Sequence, residues 1–294
     1  MTKILVTGAT GHLGDLVVKH LLDSQKISPS DIVAGSRKPE KATELAARGV
    51  EVRKVDFDDP ATLASAFSGI DRLLIVSTDE VGTPGKRLSQ HKVAVEAAAK
   101  AGVKRIYYTS LPDADTSPVS FAPDHFGTEE AIRASGMPYT ILRNGWYMEN
   151  LFFALPSALK SGSWYTSEGE GKTAYIARED IARATAAALA NPPAESVIHT
   201  LTGDRAYSKS EIAALVSQAT GKALNVVQIS DEDLKSGMVA AGLPEPVAVT
   251  FTSFDQAVRA GKLGQTTGEA QKLAGGSLVS LEDFIKNNAA AFNG

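Results

Sequence analysis

Three glycines spaced three apart near the start of the chain constrain its fold more than any other feature. The apolar run Ile4-Leu5-Val6 breaks into Thr7-Gly8-Ala9-Thr10-Gly11-His12-Leu13-Gly14, and apolar residues then recur at Leu13, Leu16, Val17 and Leu21. A buried strand is therefore expected to turn directly into an amphipathic helix, with the glycines at the junction. Gly8 permits the tight turn, Gly11 leaves the backbone bare, and Gly14 lets the helix lie close on the sheet. Unpaired amides and the positive end of the helix dipole at such a junction favour an anion, above all a pyrophosphate. The spacing departs from the Gly-x-Gly-x-x-Gly dinucleotide fingerprint, so the reading rests on its place at the head of an alternating chain.

Extended apolar runs at 32–36, 50–55, 72–77, 105–110 and 139–143 alternate with helical stretches at 39–48, 60–67, 89–101 and 127–135. This alternation predicts an α/β fold: a doubly wound parallel sheet of the Rossmann type, followed by a smaller, mostly helical C-terminal substrate lobe. Residues 1–150 are expected to form the nucleotide-binding domain, and residues 151–294 the lobe, interleaved with the end of the sheet. Gly49, Gly102 and Gly136 stand where left-handed caps would return helices to strands. In such sheets ligands bind beyond the carboxyl ends of the strands, so the residues just after each run matter most.

With 43% apolar and 22% charged residues, a chain of 294 residues can bury a large core. A formal net charge of −4 offers no broad basic surface for nucleic acid or anionic lipid. The absence of cysteine excludes disulfides, thiolate catalysis and Cys-ligated metals. No charged leader with an apolar region opens the chain, and no segment approaches the ~20 apolar residues of a membrane span, so cytoplasmic residence is the expectation. The five histidines form no metal-spaced pair, and no metal site is expected. Monomer and homodimer both stay open.

The strand ends carry the chemistry. The second ends at Gly35-Ser36-Arg37-Lys38, where an acid for the NAD ribose would usually stand; Arg37 and Lys38 suit a phosphate instead, so the expected cofactor is NADPH. After the third, Asp56 can accept from the adenine amino group and Phe57 can pack on the ring, with helix capping the plain alternative for Asp58 and Asp59. After the fourth come Ser77, Thr78 and Asp79, small polar groups suited to the ribose and phosphates. Together with Gly8, Ala9, Thr10, Gly11, His12, Leu13, Arg37 and Asp56 they form the expected cofactor set.

On the glycine loop, and on Tyr108-Thr109-Ser110-Leu111, Ala114-Asp115-Thr116-Ser117-Pro118, Tyr139-Thr140-Ile141-Leu142-Arg143-Asn144-Gly145-Trp146-Tyr147 and Leu201-Thr202-Gly203-Asp204, the chain resembles the NmrA-like branch of atypical short-chain dehydrogenases/reductases. That branch includes bacterial NAD(P)H:quinone oxidoreductases and triphenylmethane reductases. The resemblance runs nearly end to end, and Arg143 to Tyr147 is its most specific stretch. It implies that Asn144, Gly145, Trp146, Tyr147 and Glu149 border the nicotinamide end of the cofactor. It also implies an NADPH-dependent reductase that transfers hydride to a quinone or a similar conjugated acceptor. The alternatives are an NADPH-dependent carbonyl or dye reductase and a non-catalytic NADP-binding redox sensor.

Ordinary short-chain reductases protonate an alkoxide through a Tyr with a Lys four residues on, and none of the seven tyrosines here has that partner. In its approximate place, His125 and Glu129 share one helix face. The loss is chemically tolerable for a conjugated acceptor, whose reduced form is a weakly basic oxyanion that water can protonate. His125 can serve as a proton donor near neutral pH, although capping or packing is the commoner role for a lone His at a helix start. Asn144 and Tyr147 are expected to hydrogen-bond the acceptor or the carboxamide. Trp146 and Phe152 are expected to wall a flat ring, with core packing the plain alternative. His91 would support the site from the fourth helix. Glu129 and Glu130 read as a solvated face, and Ser110 as a vestige or a cofactor contact. Further on, 151–159 and 180–189 read as helices around a turn-rich 162–172, whose Gly169 and Gly171 suggest a mobile hairpin or lid. Ser208 and Glu211 form a capping-box signature.

Overall fold

Ile4, Leu5 and Val6 are buried and pair in parallel with neighbours on both sides, as an unbroken apolar strand at the centre of a covered sheet should. The computed structural model describes residues 2–293. In chain order its elements are β1 (Ile4–Val6), α1 (His12–Asp23), β2 (Ile32–Ser36), α2 (Thr43–Ala47), β3 (Glu51–Lys54), α3 (Pro60–Phe67), β4 (Arg72–Ile75), α4 (Lys86–Lys100), β5 (Arg105–Ser110), α5 (Ala122–Ala134) and β6 (Tyr139–Asn144). Then follow α6 (Leu151–Ser161), β7 (Ser163–Thr166), β8 (Lys172–Thr173), α7 (Arg178–Ala190), β9 (Val197–Leu201), β10 (Tyr207–Ser208), α8 (Lys209–Thr220), β11 (Asn225–Gln228), α9 (Asp231–Ala240), α10 (Glu245–Arg259), α11 (Glu269–Ala274) and α12 (Leu281–Phe292).

The main sheet has the order β3-β2-β1-β4-β5-β6-β9, parallel throughout. Helices α1, α7 and α11 cover one face and α3, α4 and α5 the other, so the expected doubly wound sheet is present. Winding reverses between β1 and β4, which opens a crevice at their carboxyl ends. The last strand, β9, comes from well beyond residue 150 and pairs with β6 through Leu142 and His199. A second core, around Leu155, Trp164, Ile212 and Phe284, joins α6, α8 and α12 into the C-terminal lobe. Among the described residues no helix is long and apolar enough to cross a membrane.

Several local expectations need correction. Helix α5 starts at Ala122, five residues early, because Pro123 fits its first turn. The stretch 39–48 splits into a short 3₁₀ turn and α2. The segment 162–172 is a tethered strand and turn rather than a lid: β7 pairs in parallel with β11, and Asp255 accepts from the Thr166 hydroxyl (2.8 Å) and the Ser167 amide (2.7 Å). Gly171 serves close packing there, since a Cβ would lie 2.5 Å from the Val258 carbonyl oxygen. The Ser208–Glu211 capping box forms as expected, with both reciprocal bonds present.

Candidate active site

The chain leaves β1 and turns at Gly8, whose φ of +61° is costly for any residue with a Cβ. The Thr7 amide donates to the Leu74 carbonyl (3.0 Å), and the Thr7 hydroxyl accepts from the Val76 amide (2.9 Å), which fastens the turn to β4. A Cβ on Gly14 would lie 2.3 Å from the Gly8 carbonyl oxygen. The close neighbour of Gly14 is thus the loop backbone, not the sheet face. No side chain caps α1 at Gly11, which leaves the first amides of the helix for an anion.

A groove of about 710 Å³ lies over this turn. Gly8, Thr10, Gly11, His12 and Leu13 line one side; Arg37, Lys38 and Lys41 follow β2, Asp56 and Phe57 follow β3, and Ser77, Thr78 and Asp79 follow β4. Ala9 is the exception among the expected loop residues. It is fully buried beneath the turn, its amide donating to the Gly35 carbonyl (3.0 Å). Arg37 and Asp79 face each other at 3.6 Å, both exposed, a weak pairing that a phosphate can displace. Asp59 stands at the N-cap of α3 without a side-chain cap bond, and Asp58 instead accepts from Gln90 (3.0 Å).

Behind Thr78 lies a buried polar network. The Thr78 amide donates to His91 Nε2 (3.0 Å), and its hydroxyl donates to Gln90 (2.9 Å). His91 Nδ1 meets Thr128 (3.0 Å), while the Tyr108 hydroxyl bridges toward both His91 (3.3 Å) and His125 Nδ1 (2.8 Å). His125 Nε2 accepts from Arg87 (2.9 Å). Burial, with the Arg87 charge adding to it, pushes His91 down to about 3 and His125 well below the usual imidazole range. Proton donation from His125 is corrected accordingly: an enclosed imidazole that stays neutral has no ionisable proton to give near neutral pH. His91 does back the groove from α4, as expected.

Glu129 is also corrected, for it is fully buried rather than solvated. It accepts from Ser110 (2.7 Å), from Arg143 (2.9 and 2.7 Å) and from Arg133 (2.8 Å), so Ser110 is engaged by this carboxylate.

The loop after β6 divides its residues among several tasks. The Gly145 amide donates to the Leu201 carbonyl (2.7 Å). Asn144 donates to the Tyr147 hydroxyl (3.0 Å), and its own Oδ1 is buried without a partner. Both carboxylate oxygens of Glu149 accept from the Arg178 amide (3.1 Å), which caps α7. Trp146 faces a second cavity of about 650 Å³, whose walls include Phe153, Trp164, Phe251 and Phe254. The Trp146 and Phe254 rings stand 3.9 Å apart between centroids. Phe152 does not wall this space. It turns inward onto Phe292 (4.8 Å) and Phe284 (6.0 Å), and its neighbour Phe153 takes the exposed position.

Arg87 is buried, only 5% exposed, in the polar network behind Thr78. Its guanidinium lies 4.8 Å from the Phe121 ring centroid and its Nε is buried without a partner; Phe121 in turn packs on Phe254 (5.7 Å), a wall residue of the cavity. Sequence reasoning missed Arg87 and Gln90, although polar Arg87, Gln90 and His91 recur at helical spacing on the buried face of α4. Lys41 was legible as the third cation after β2. Nothing in the sequence spacing points to Glu168, Lys209 and Asp255, which form the polar end of the aromatic cavity.

Comparison with known proteins places these features in context. A family model described as "NmrA-like family" matches residues 1–285. Quinone oxidoreductase 2 of Escherichia coli is 38% identical over 284 residues, covering 97% of this chain and 98% of the relative. A crystal structure of the NADPH-dependent quinone oxidoreductase of Escherichia coli with NADPH superposes at a TM-score of 0.92, with 37% identity and 97% and 99% of the two chains covered. The triphenylmethane reductase of Citrobacter sp. with NADP(H) superposes at 0.89, again with 37% identity and the same coverage.

Proposed function

This chain belongs to the NmrA-like family, and on that premise we propose that it is an NADPH-dependent reductase that passes hydride to a quinone or a similarly conjugated acceptor. The observation that carries the proposal is that one chain holds both a phosphate-type groove, edged by Arg37, Lys38 and Lys41, and a largely apolar cavity lined by Trp146 from the loop after β6. The residues present fit the cofactor. The turn at Gly8, Gly11 and Gly14 has no room for a Cβ at Gly14, no side chain caps the first amides of α1, and the buried Asn144 Oδ1 has no partner within the protein. When bound, the cofactor supplies the hydride.

In this reading Gly8, Thr10, Gly11, His12 and Leu13 hold the pyrophosphate, and Arg37 with its neighbouring lysines holds the 2′-phosphate. Asp56 and Phe57 take the adenine end, Ser77, Thr78 and Asp79 the middle. Asn144 and Tyr147 border the nicotinamide end, and Trp146 orients the acceptor ring. These groups act by position and by exclusion of water more than by chemistry of their own.

The deciding test follows NADPH absorbance with purified protein, beside NADH, with a benzoquinone, a conjugated dye and an isolated ketone as separate acceptors. Quinone or dye turnover that prefers NADPH is the expected result. Efficient ketone turnover would replace this reading with a carbonyl reductase, and NADPH binding without turnover of any acceptor would replace it with a redox sensor.

A further inference from the structure

The wall of the aromatic cavity carries a polar cluster that the proposed hydride step does not use. Glu168 and Lys209, both buried, meet at 2.6 Å, and Lys209 Nζ also lies 4.4 Å from the Trp164 ring centroid. Asp255 from α10 and Tyr175 from the turn after β8 complete the cavity lining around them. Lys209 is the first residue of α8, so four separate segments bring ionisable groups to the wall of a largely apolar space. Taking such an ion pair out of water can cost more than its attraction returns, and an ion pair kept in a cavity wall despite that cost is a candidate for function.

We propose that Glu168, steadied by Lys209, gives a proton to the oxygen of the conjugated acceptor that points to this end of the cavity. The inference rests on the reductase reading above. The step balances. The acceptor receives a hydride, two electrons and a proton, from the reduced nicotinamide, which leaves oxidised. Conjugation carries the resulting negative charge to the acceptor's far oxygen. There the Glu168 O–H bond breaks as a new O–H bond forms, and solvent returns a proton to the carboxylate. Conjugation removes any need for the donor to sit beside the nicotinamide, and Glu168 thus stands in for the missing Tyr-Lys pair.

The electrostatics agree. Burial pushes the Glu168 carboxyl up, the Lys209 ammonium opposes it and the Asp255 charge adds to it, so that the group lies at about 7. Burial and the Glu168 charge likewise raise the Tyr175 phenol, so it stays protonated, while the surrounding acids hold Lys209 firmly charged. Asp231 and Arg259 pair with each other one layer out, where the Arg259 guanidinium also donates to the Ser167 carbonyl.

The experiment compares the wild type with Glu168→Gln and Lys209→Met, using 1,4-naphthoquinone. Both tryptophans of the chain, Trp146 and Trp164, line the cavity, so quenching of their fluorescence without NADPH reports quinone binding separately from turnover. In the wild type, kcat is expected to fall as pH rises through about 7. Glu168→Gln should bind the quinone as before, lose about tenfold in kcat at low pH and show no falling limb. Lys209→Met should move that limb to higher pH, because the cation that lowers Glu168 is gone. Infrared difference titration should show a protonated carboxyl that disappears near neutral pH in the wild type and is absent from Glu168→Gln, whatever the activity. An unchanged pH profile in Glu168→Gln, or a wild type without that carboxyl band, overturns the inference and leaves the reductase reading standing. A wild type that turns over neither the quinone nor a conjugated dye overturns the reductase reading and this inference with it, even where the band is present.

Discussion

The groove and the aromatic cavity are built by opposite means. Nearly all groove residues lie within a few positions of the end of a sheet strand, Gln90 of α4 being an exception, so backbone geometry delivers Gly8, Arg37, Asp56 and Ser77 to one place. The cavity collects Trp146, Trp164, Glu168, Lys209, Asp255 and Phe254 from separate segments of the second half, and only their packing brings them together. Burial disfavours charge in both, with different outcomes. Behind the groove it holds two histidines neutral; in the cavity it raises an acid paired with Lys209 to about 7. A site fixed by topology tolerates change in its acceptor side, and a site fixed by packing is free to vary without disturbing the cofactor.

The sharpest way to break this contrast is Gly14→Ala. Its Cβ would meet the Gly8 carbonyl oxygen at 2.3 Å, so the variant should lose about 3 kcal/mol of stability and most NADPH affinity, read by urea unfolding and cofactor titration. Tight NADPH binding by this variant would show that the turn is not the phosphate cradle. Arg37→Ala comes next. Loss of a charge-assisted contact worth about 2 kcal/mol should weaken NADPH binding about 30-fold while NADH changes little, and equal losses would remove the phosphate assignment.

Acid should then loosen the groove side. His91 is held at about 3 in the folded protein against an ordinary 6.5, so the unfolded chain takes up its proton first as pH falls. The associated stability is complete above 6.5 and is lost on the way down toward 3, by about 1 kcal/mol per pH unit. Urea midpoints compared at about pH 7 and about pH 5 should show the drop, and His91→Gln should lessen it without abolishing it, because His125 is held neutral by the same burial. A slope unaffected by His91→Gln would locate the acid sensitivity elsewhere. The smallest effect is expected from Trp146→Ala, which should raise KM for the quinone about three- to tenfold through a lost aromatic contact and leave NADPH affinity unchanged. A parallel loss of NADPH affinity would show that groove and cavity are not separable.

Much of the groove was legible because period-two and period-3.6 patterns locate strand ends, and the chain must turn there. Ala9 was misassigned because a sequence cannot say which residue of a turn faces inward; its amide bonds Gly35 while Thr10 and Gly11 line the groove. Glu129 read as solvated because charge usually lies outside, and its burial depends on Arg143, a residue fourteen positions away on another element. Phe152 and Phe153 were indistinguishable in type, and only the rotation of α6 against α12 decided which one packs inward.

The sequence by itself determined the parallel sheet, the glycine turn and the basic edge after β2, because strand and helix periodicity, backbone freedom and charge type act over a few neighbouring residues. The tertiary structure alone decided that His125 is sealed off, that Arg87 is buried against Phe121, and that Glu168 faces Lys209 in the cavity wall. Those outcomes depend on burial and on contacts between residues far apart in the chain, which no local pattern encodes.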